Sequence, residues 1–115
     1  MLDIDVEFRK GILFVRLFGV LDKNTVKKLE KEVLNLVKNI GIKNIVFNMQ
    51  NLTSIDISGI KGIYSSYSFC KKNDGKSIMC GLKNPLVSHR IKNSRLSQYM
   101  FETSDEIGAI NVINL

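Results

Sequence analysis

The chain has 115 residues, of which 44% are hydrophobic and 24% charged, a balance that supports a packed core and excludes a disordered polymer. The length suits one domain over residues 1–115. The net charge is +6, but the lysines are spread along the chain and Glu30 and Glu32 interrupt the densest group, so a solvated basic surface is expected and no specific nucleic-acid partner.

Ile4, Val6 and Phe8 alternate with Asp5 and Glu7, which predicts a half-exposed first strand. Arg9-Lys10-Gly11 is turn-like. Ile12 to Phe18 then reads as a more buried strand with Arg16 as its only charge, and the two predict a hairpin. Gly19 to Thr25 breaks the strand and offers capping residues. Val26, Leu29, Val33, Leu36, Val37 and Ile40 form one apolar stripe of a helix, with Lys27, Lys28, Lys31, Asn35 and Lys38 on the other side. Gly41 is a natural residue to follow its end. Each fully buried aliphatic side chain on the stripe contributes roughly 1.5–3 kcal/mol, so packing on a sheet is what holds this helix.

Ile42 to Met49 is the next strand, and the consecutive Ile45, Val46 and Phe47 suit one covered on both faces. Leu52-Thr53-Ser54-Ile55-Asp56-Ile57-Ser58-Gly59-Ile60-Lys61-Gly62-Ile63 follows. It is a strand-to-helix junction, because Ile60, Ile63, Tyr64 and Tyr67 continue from it at helical spacing. The helix is predicted from about Ser58 to Lys72. Asp56 and Ser58 are both N-cap residue types, and Ser58 is expected to have its hydroxyl occupied by a backbone amide. Such a junction directs free N–H groups and the positive end of the helix dipole outward, where a carboxylate, a phosphate or a protein partner can meet them. Gly59, Gly62, Ser65, Ser66 and Ser68 make the helix rich in small residues. Close packing on the sheet accounts for them, and so does room for a partner at the first turn.

Asn73-Asp74-Gly75-Lys76 is a turn, and Ser77 to Leu82 a fourth strand. Asn84 followed by Pro85 marks the start of a helix that runs through Val87 and Ile91. Tyr99 to Phe101 is a short strand. Thr103 or Ser104 is expected to cap a last helix, with Asp105 and Glu106 in its first turn and Ile107, Ile110 and Ile113 on its buried face. Strands separated by helical crossovers imply an α/β fold. Its sheet is mixed, mostly parallel and four- to five-stranded, with about four helices.

Apolar runs are strand-sized, short of the roughly 20 residues a membrane helix needs. Met1-Leu2-Asp3-Ile4-Asp5 lacks the basic start and apolar stretch of a signal peptide. A cytoplasmic protein without membrane insertion is therefore expected. Cys70 and Cys80 sit in apolar surroundings away from the lone His89, which predicts two small core residues and no metal site. No Cys-His or Ser-His pair, carboxylate dyad or phosphate-cradling glycine loop is evident, so neither catalysis nor a cofactor is expected.

The junction Leu52 to Gly59 resembles the Leu-x-x-hydrophobic-Asp-Ser-Ser/Ala-Gly signature of STAS domains, the bacterial anti-sigma factor antagonists. Gly19-Val20-Leu21-Asp22 resembles the turn after the family's second strand. Ile45-Val46-Phe47-Asn48 resembles its third strand, and Asn84-Pro85-Leu86-Val87 a helix start. The resemblance covers nearly the whole chain and is greatest to the sporulation subgroup, from which Arg95, in place of a usual Gly, departs. It implies a STAS-type fold. It also implies a partner: an anti-sigma factor with serine-kinase activity, bound in the unphosphorylated state so that a sigma factor is freed. Residues at the matching positions would form the partner-binding surface: Asp22, Asp56, Ile57, Ser58, Gly59 and Gly62. In phosphorylated members the acceptor hydroxyl directly follows the Asp. Here that residue is Ile57, which leaves Ser58 as the nearest candidate phosphoacceptor. A STAS module that assembles a larger complex without phosphorylation, as in stress-signalling assemblies or lipid-transport ABC systems, is the alternative that Ile57 favours.

Overall fold

The computed structural model describes all residues, Met1–Leu115. Strands β1 (Leu2–Arg9) and β2 (Ile12–Leu21) form the expected hairpin. Its two-residue loop, Lys10 and Gly11, has φ of 53° and 80°. Positive φ at both positions is the loop geometry that matches the right-handed twist of paired strands. Next come helix α1 (residues 26–40), strand β3 (Asn44–Ile55), helix α2 (Ile57–Lys72), strand β4 (Ser77–Cys80) and helix α3 (Pro85–Lys92). A single helical turn α4 (Leu96–Tyr99), strand β5 (Phe101–Thr103) and helix α5 (Glu106–Ile113) complete the chain. The strands lie in sequence order in one sheet, with β1 antiparallel to β2 and all other pairs parallel.

Helix α1 is not uniform. It begins as an α-helix over Val26–Leu29, turns π-helical over Glu30–Leu34 and ends as an α-helix over Asn35–Ile40. The wider π turn brings Leu29, Val33 and Val37, four residues apart, into one buried line. It also rotates the last turn away from the stripe that the sequence pattern projects. Ile40 is consequently 55% exposed, against the expectation that it is buried.

Alternation along the strands sends Leu13, Val15 and Leu17 to one face of the sheet and Ile12, Phe14 and Arg16 to the other. Helices α1, α2 and α3 cover the first face, where 21 buried residues form the main core. The opposite face has only six, five on the strands and Ala109 on α5, so most apolar burial lies on the side that carries α2. Cys70 and Cys80 are core residues as expected, and burial pushes their thiols up to about 11 and about 12.

The second face is completed by a charged cluster. Arg16 donates from Nε and Nη2 to the two carboxylate oxygens of Glu106, at 2.8 and 2.9 Å, and also to Asp5 and Glu7. Asn48 Nδ2 donates to Glu106 at 2.8 Å. One guanidinium thus joins β1, β2 and α5, and the amide adds β3. The hydrogen bonds from Arg16 chiefly, with help from Asn48, hold the Glu106 carboxyl below its ordinary pKa despite partial burial.

The final helix departs from expectation in two respects. Asp105 caps it, accepting from the Gly108 N–H at 2.8 Å, whereas Thr103 and Ser104 do not. The Thr103 hydroxyl instead donates to the Asp105 carbonyl. Ile107 is 70% exposed, and Ala109 is the only fully buried residue of α5. Glu106, drawn inward by Arg16, sets the rotation of the helix, so Ala109, Ile110, Val112 and Ile113 meet the sheet and Ile107 turns outward.

Candidate functional site

Strand β3 runs to Ile55, so the junction segment is still strand from Leu52 to Ile55. The chain turns at Asp56, whose extended backbone (φ −116°, ψ −175°) makes it the N-cap of α2. Its Oδ1 accepts from the Gly59 N–H at 3.0 Å. Its Oδ2 accepts from the Lys23 N–H at 3.1 Å, and its own N–H donates to the Leu21 carbonyl at 3.2 Å. Partial burial works to raise the Asp56 pKa. The amide donors of Gly59, Lys23 and Ser58, and the nearby Arg90, more than offset it and keep the carboxyl below its usual range.

The cap therefore belongs to Asp56 and not to Ser58. Ser58 lies at the second helical position, half-buried, and its hydroxyl takes no part in the cap. Ile57, the first helical residue, is 69% exposed. Asp22 stands on the neighbouring turn, where its Oδ1 accepts from the Asn24 N–H at 2.9 Å and its carbonyl from Val26. The structure thus brings Asp22, Asp56, Ile57 and Ser58 to one rim of the sheet, at the ends of β2 and β3.

Gly59 and Gly62 lie beneath that rim. Both are buried. A Cβ on Gly59 would stand 2.6 Å from the Leu21 carbonyl oxygen, and one on Gly62 would stand 2.5 Å from Val26 Cγ2. They let α2 lie close to β2 and α1. They shape the site from below, and both are buried where Ile57 is exposed.

A groove of about 690 Å³ opens beside Asp56 and Ile57. One wall is α2, through Ile60, Lys61 and Tyr64, and the other is α3 with the start of α4, through His89, Arg90 and Arg95. Arg90 Nη1 donates to the Ile55 carbonyl at 3.1 Å, which ties α3 to the end of β3. Tyr64 and Tyr67 on α2 and Tyr99 on α4 extend the wall as a ring cluster with centroids 5.7–5.8 Å apart.

The second wall is what the sequence reading missed. The signal lies in charge placement along the chain. Between Asp56 and Glu102 the only acidic residue is Asp74, against eight lysines and arginines, while the remainder of the chain is close to neutral. Of these eight cations Lys61, Arg90 and Arg95 line the groove, whereas Lys83 stands by Glu102 and Lys76 reaches the Val112 carbonyl of α5.

A five-stranded mixed sheet, helices stacked on one face, and a capped helix start exposed at the strand ends together define an α/β domain whose conspicuous surface is a loop-and-helix rim. The chain belongs to the STAS domain family, whose model matches residues 3–109. It is 27% identical over 114 residues to an anti-sigma F factor antagonist of Paenibacillus polymyxa, covering 99% of this chain and 97% of that one. Solved structures share the fold. A putative anti-sigma factor antagonist of Thermotoga maritima superimposes with a TM-score of 0.89 at 13% identity, over 97% of this chain and 95% of that one. The Bacillus cell fate determinant SpoIIAA in its phosphorylated form does so with a TM-score of 0.74 at 20% identity, over 96% and 99%. No helix of the chain is long and apolar enough to cross a membrane.

Proposed function

We propose that this protein is an anti-sigma factor antagonist: a non-enzymatic domain that binds an anti-sigma factor of kinase-like ATPase fold and so frees a sigma factor. The observation that carries the reading is the exposed Ile57 beside the Asp56 cap. An aliphatic residue 69% exposed at a helix start, on a rim held rigid by the cap, is suited to burial in a protein interface. The likeness along nearly the whole chain to an anti-sigma F factor antagonist supports the choice of partner.

Asp22, Asp56, Ile57 and Ser58 form the contact rim in this reading, and Gly59 and Gly62 set its shape. The test is binding to the anti-sigma factor encoded in the same genome, followed by release of its sigma factor in a transcription assay. Ile57→Lys should lower affinity at least tenfold while leaving the fold intact. Wild-type protein that fails to bind the anti-sigma factor, or to release the sigma factor, would overturn the reading.

Ile57 also supports a second reading. With no hydroxyl after Asp56, the same rim suits a STAS module that docks into a larger assembly without phosphorylation. Retention of wild type in a stable multi-subunit complex in the presence of ATP would distinguish that role.

A further inference from the structure

We infer that the groove between α2 and α3–α4 seats an acidic amphipathic helix of the protein partner, with the basic wall selecting its charge and the apolar floor its register. This inference builds on the reading that the rim binds a protein, and extends it to the chemistry of the segment that is bound.

Three observations carry it. The first is charge. Helices α2, α3 and α4 contain no Asp or Glu at all, while Lys61, Arg90 and Arg95 line the groove. The acidic side chains gather elsewhere: Asp5, Glu7 and Glu106 are around Arg16 on the opposite face of the sheet. The one carboxylate in the groove, Asp56, is already engaged by the amides of Gly59 and Lys23. A surface so polarised attracts negative charge at long range and repels basic partners.

The second is the floor. Ile57, Ile60 and Tyr64 give the groove apolar contact area, and Tyr99 and Tyr67 continue it beyond Tyr64. A seam of apolar side chains bordered by cations complements a helix with apolar residues at positions three and four apart and carboxylates beside them. The third is the supply of donors. Lys61 and Arg95 are exposed and form no ion pair within the chain, so their charges are available to a partner's carboxylates. Tyr64 and Tyr99 also offer exposed faces on which bases stack, so single-stranded nucleic acid is the competing occupant that the experiment includes.

The experiment is selection of a displayed library of random 16-residue peptides on the full-length protein, with a 16-nucleotide oligo-dT as competitor. It needs no anti-sigma factor, so its outcome is separate from the test of the preceding section. Enriched peptides should carry net negative charge with apolar residues at i, i+3/i+4 and i+7. A synthetic peptide of that consensus should shift the amide resonances of Ile57, Ile60, Tyr64, Arg90 and Arg95. Its affinity should fall at least tenfold for Lys61→Glu/Arg95→Glu, a double variant that removes no internal hydrogen bond, and should fall with added salt. Enrichment of basic or neutral peptides would overturn the inference. So would the absence of enrichment, consensus binding unchanged by the double variant, or displacement of the peptides by oligo-dT at equal concentration.

Discussion

Asp56 Oδ2 accepts the Lys23 N–H across 33 positions of sequence, while Oδ1 of the same carboxylate caps α2 through Gly59. One side chain thus fixes both the helix start and the turn after β2, and these are the two pieces of backbone that carry the candidate rim.

Loss of that carboxylate should be felt in stability as well as in binding. An N-cap Asp replaced by Ala typically costs about 0.5–2 kcal/mol. Asp56→Ala is expected near the upper end, because the Lys23 amide loses its acceptor too, and Asp56→Asn should cost less, since its one carbonyl oxygen can still accept. Urea unfolding of the three proteins checks the order. Because the folded pKa of Asp56 lies below its ordinary value, its contribution is complete at neutral pH. It declines as pH falls from the ordinary carboxylate range through the folded value. The Ala variant should lack that part of the acid dependence.

The Arg16–Glu106 pair makes a similar case on the other face. Hydrogen bonds involving a charged group contribute about 1.5–3 kcal/mol when partly buried. Glu106→Gln keeps an acceptor for Asn48 and removes the charge opposite Arg16, and it is expected to destabilise the fold by an amount in that range. The Glu106 carboxyl is held below its ordinary pKa by Arg16, so the stability difference between wild type and variant should be full above the ordinary value and shrink as pH drops through the folded one. Denaturation midpoints taken at neutral and acid pH test this. A difference that widens in acid would contradict it.

Gly59 and Gly62 should behave as packing residues. Overpacking a well-filled site costs about 1–3 kcal/mol. Gly59→Ala meets a backbone carbonyl that cannot move aside alone, whereas Gly62→Ala meets a side-chain methyl of Val26. The first is expected to be the more destabilising, and thermal unfolding of the two variants decides it. A Gly62→Arg variant would therefore report on folding rather than on the interface.

Strand alternation and helical spacing follow from backbone periodicity, so the hairpin, the parallel strands, α2 and α3 were legible. The π turn in α1 was not, because it depends on how Leu29, Val33 and Val37 meet the sheet. The position of Ile107 was hidden as well: Glu106 is pulled inward by Arg16, 90 positions away, and no local pattern contains that contact. At the site, Asp56 and Ser58 are equivalent by residue type. Only the extended backbone at Asp56 and its link to Lys23 assign the cap. The basic wall was present in the order of charges, but its meaning emerges when α3 and α4 fold beside α2.

The cap assignment also sharpens the question of phosphorylation. Phosphoryl transfer requires a hydroxyl held in line with the γ-phosphate of ATP, and small misplacements are costly in rate. The family resemblance places that hydroxyl on the first helical residue, which here is Ile57. Ser58 is not restrained by the cap, but it follows at the next helical position, turned about 100° around the axis from Ile57 at 3.6 residues per turn, and it is half-buried where Ile57 is exposed. A kinase seated on the Ile57 rim therefore meets the wrong side of the turn to reach Ser58. Wild-type protein is expected to take up little or no phosphate from the kinase-like anti-sigma factor proposed as its partner. Ile57→Ser should accept one phosphate, because Ser is smaller, sits at an exposed first position and leaves the Asp56 cap untouched. Intact-protein mass after incubation with kinase and ATP, for wild type, Ile57→Ser and Ser58→Ala, is the measurement. A full phosphate on wild type that disappears in Ser58→Ala would show that the kinase reaches the second helical residue. The inference from helix geometry would then be wrong, and Ser58 would be the working acceptor.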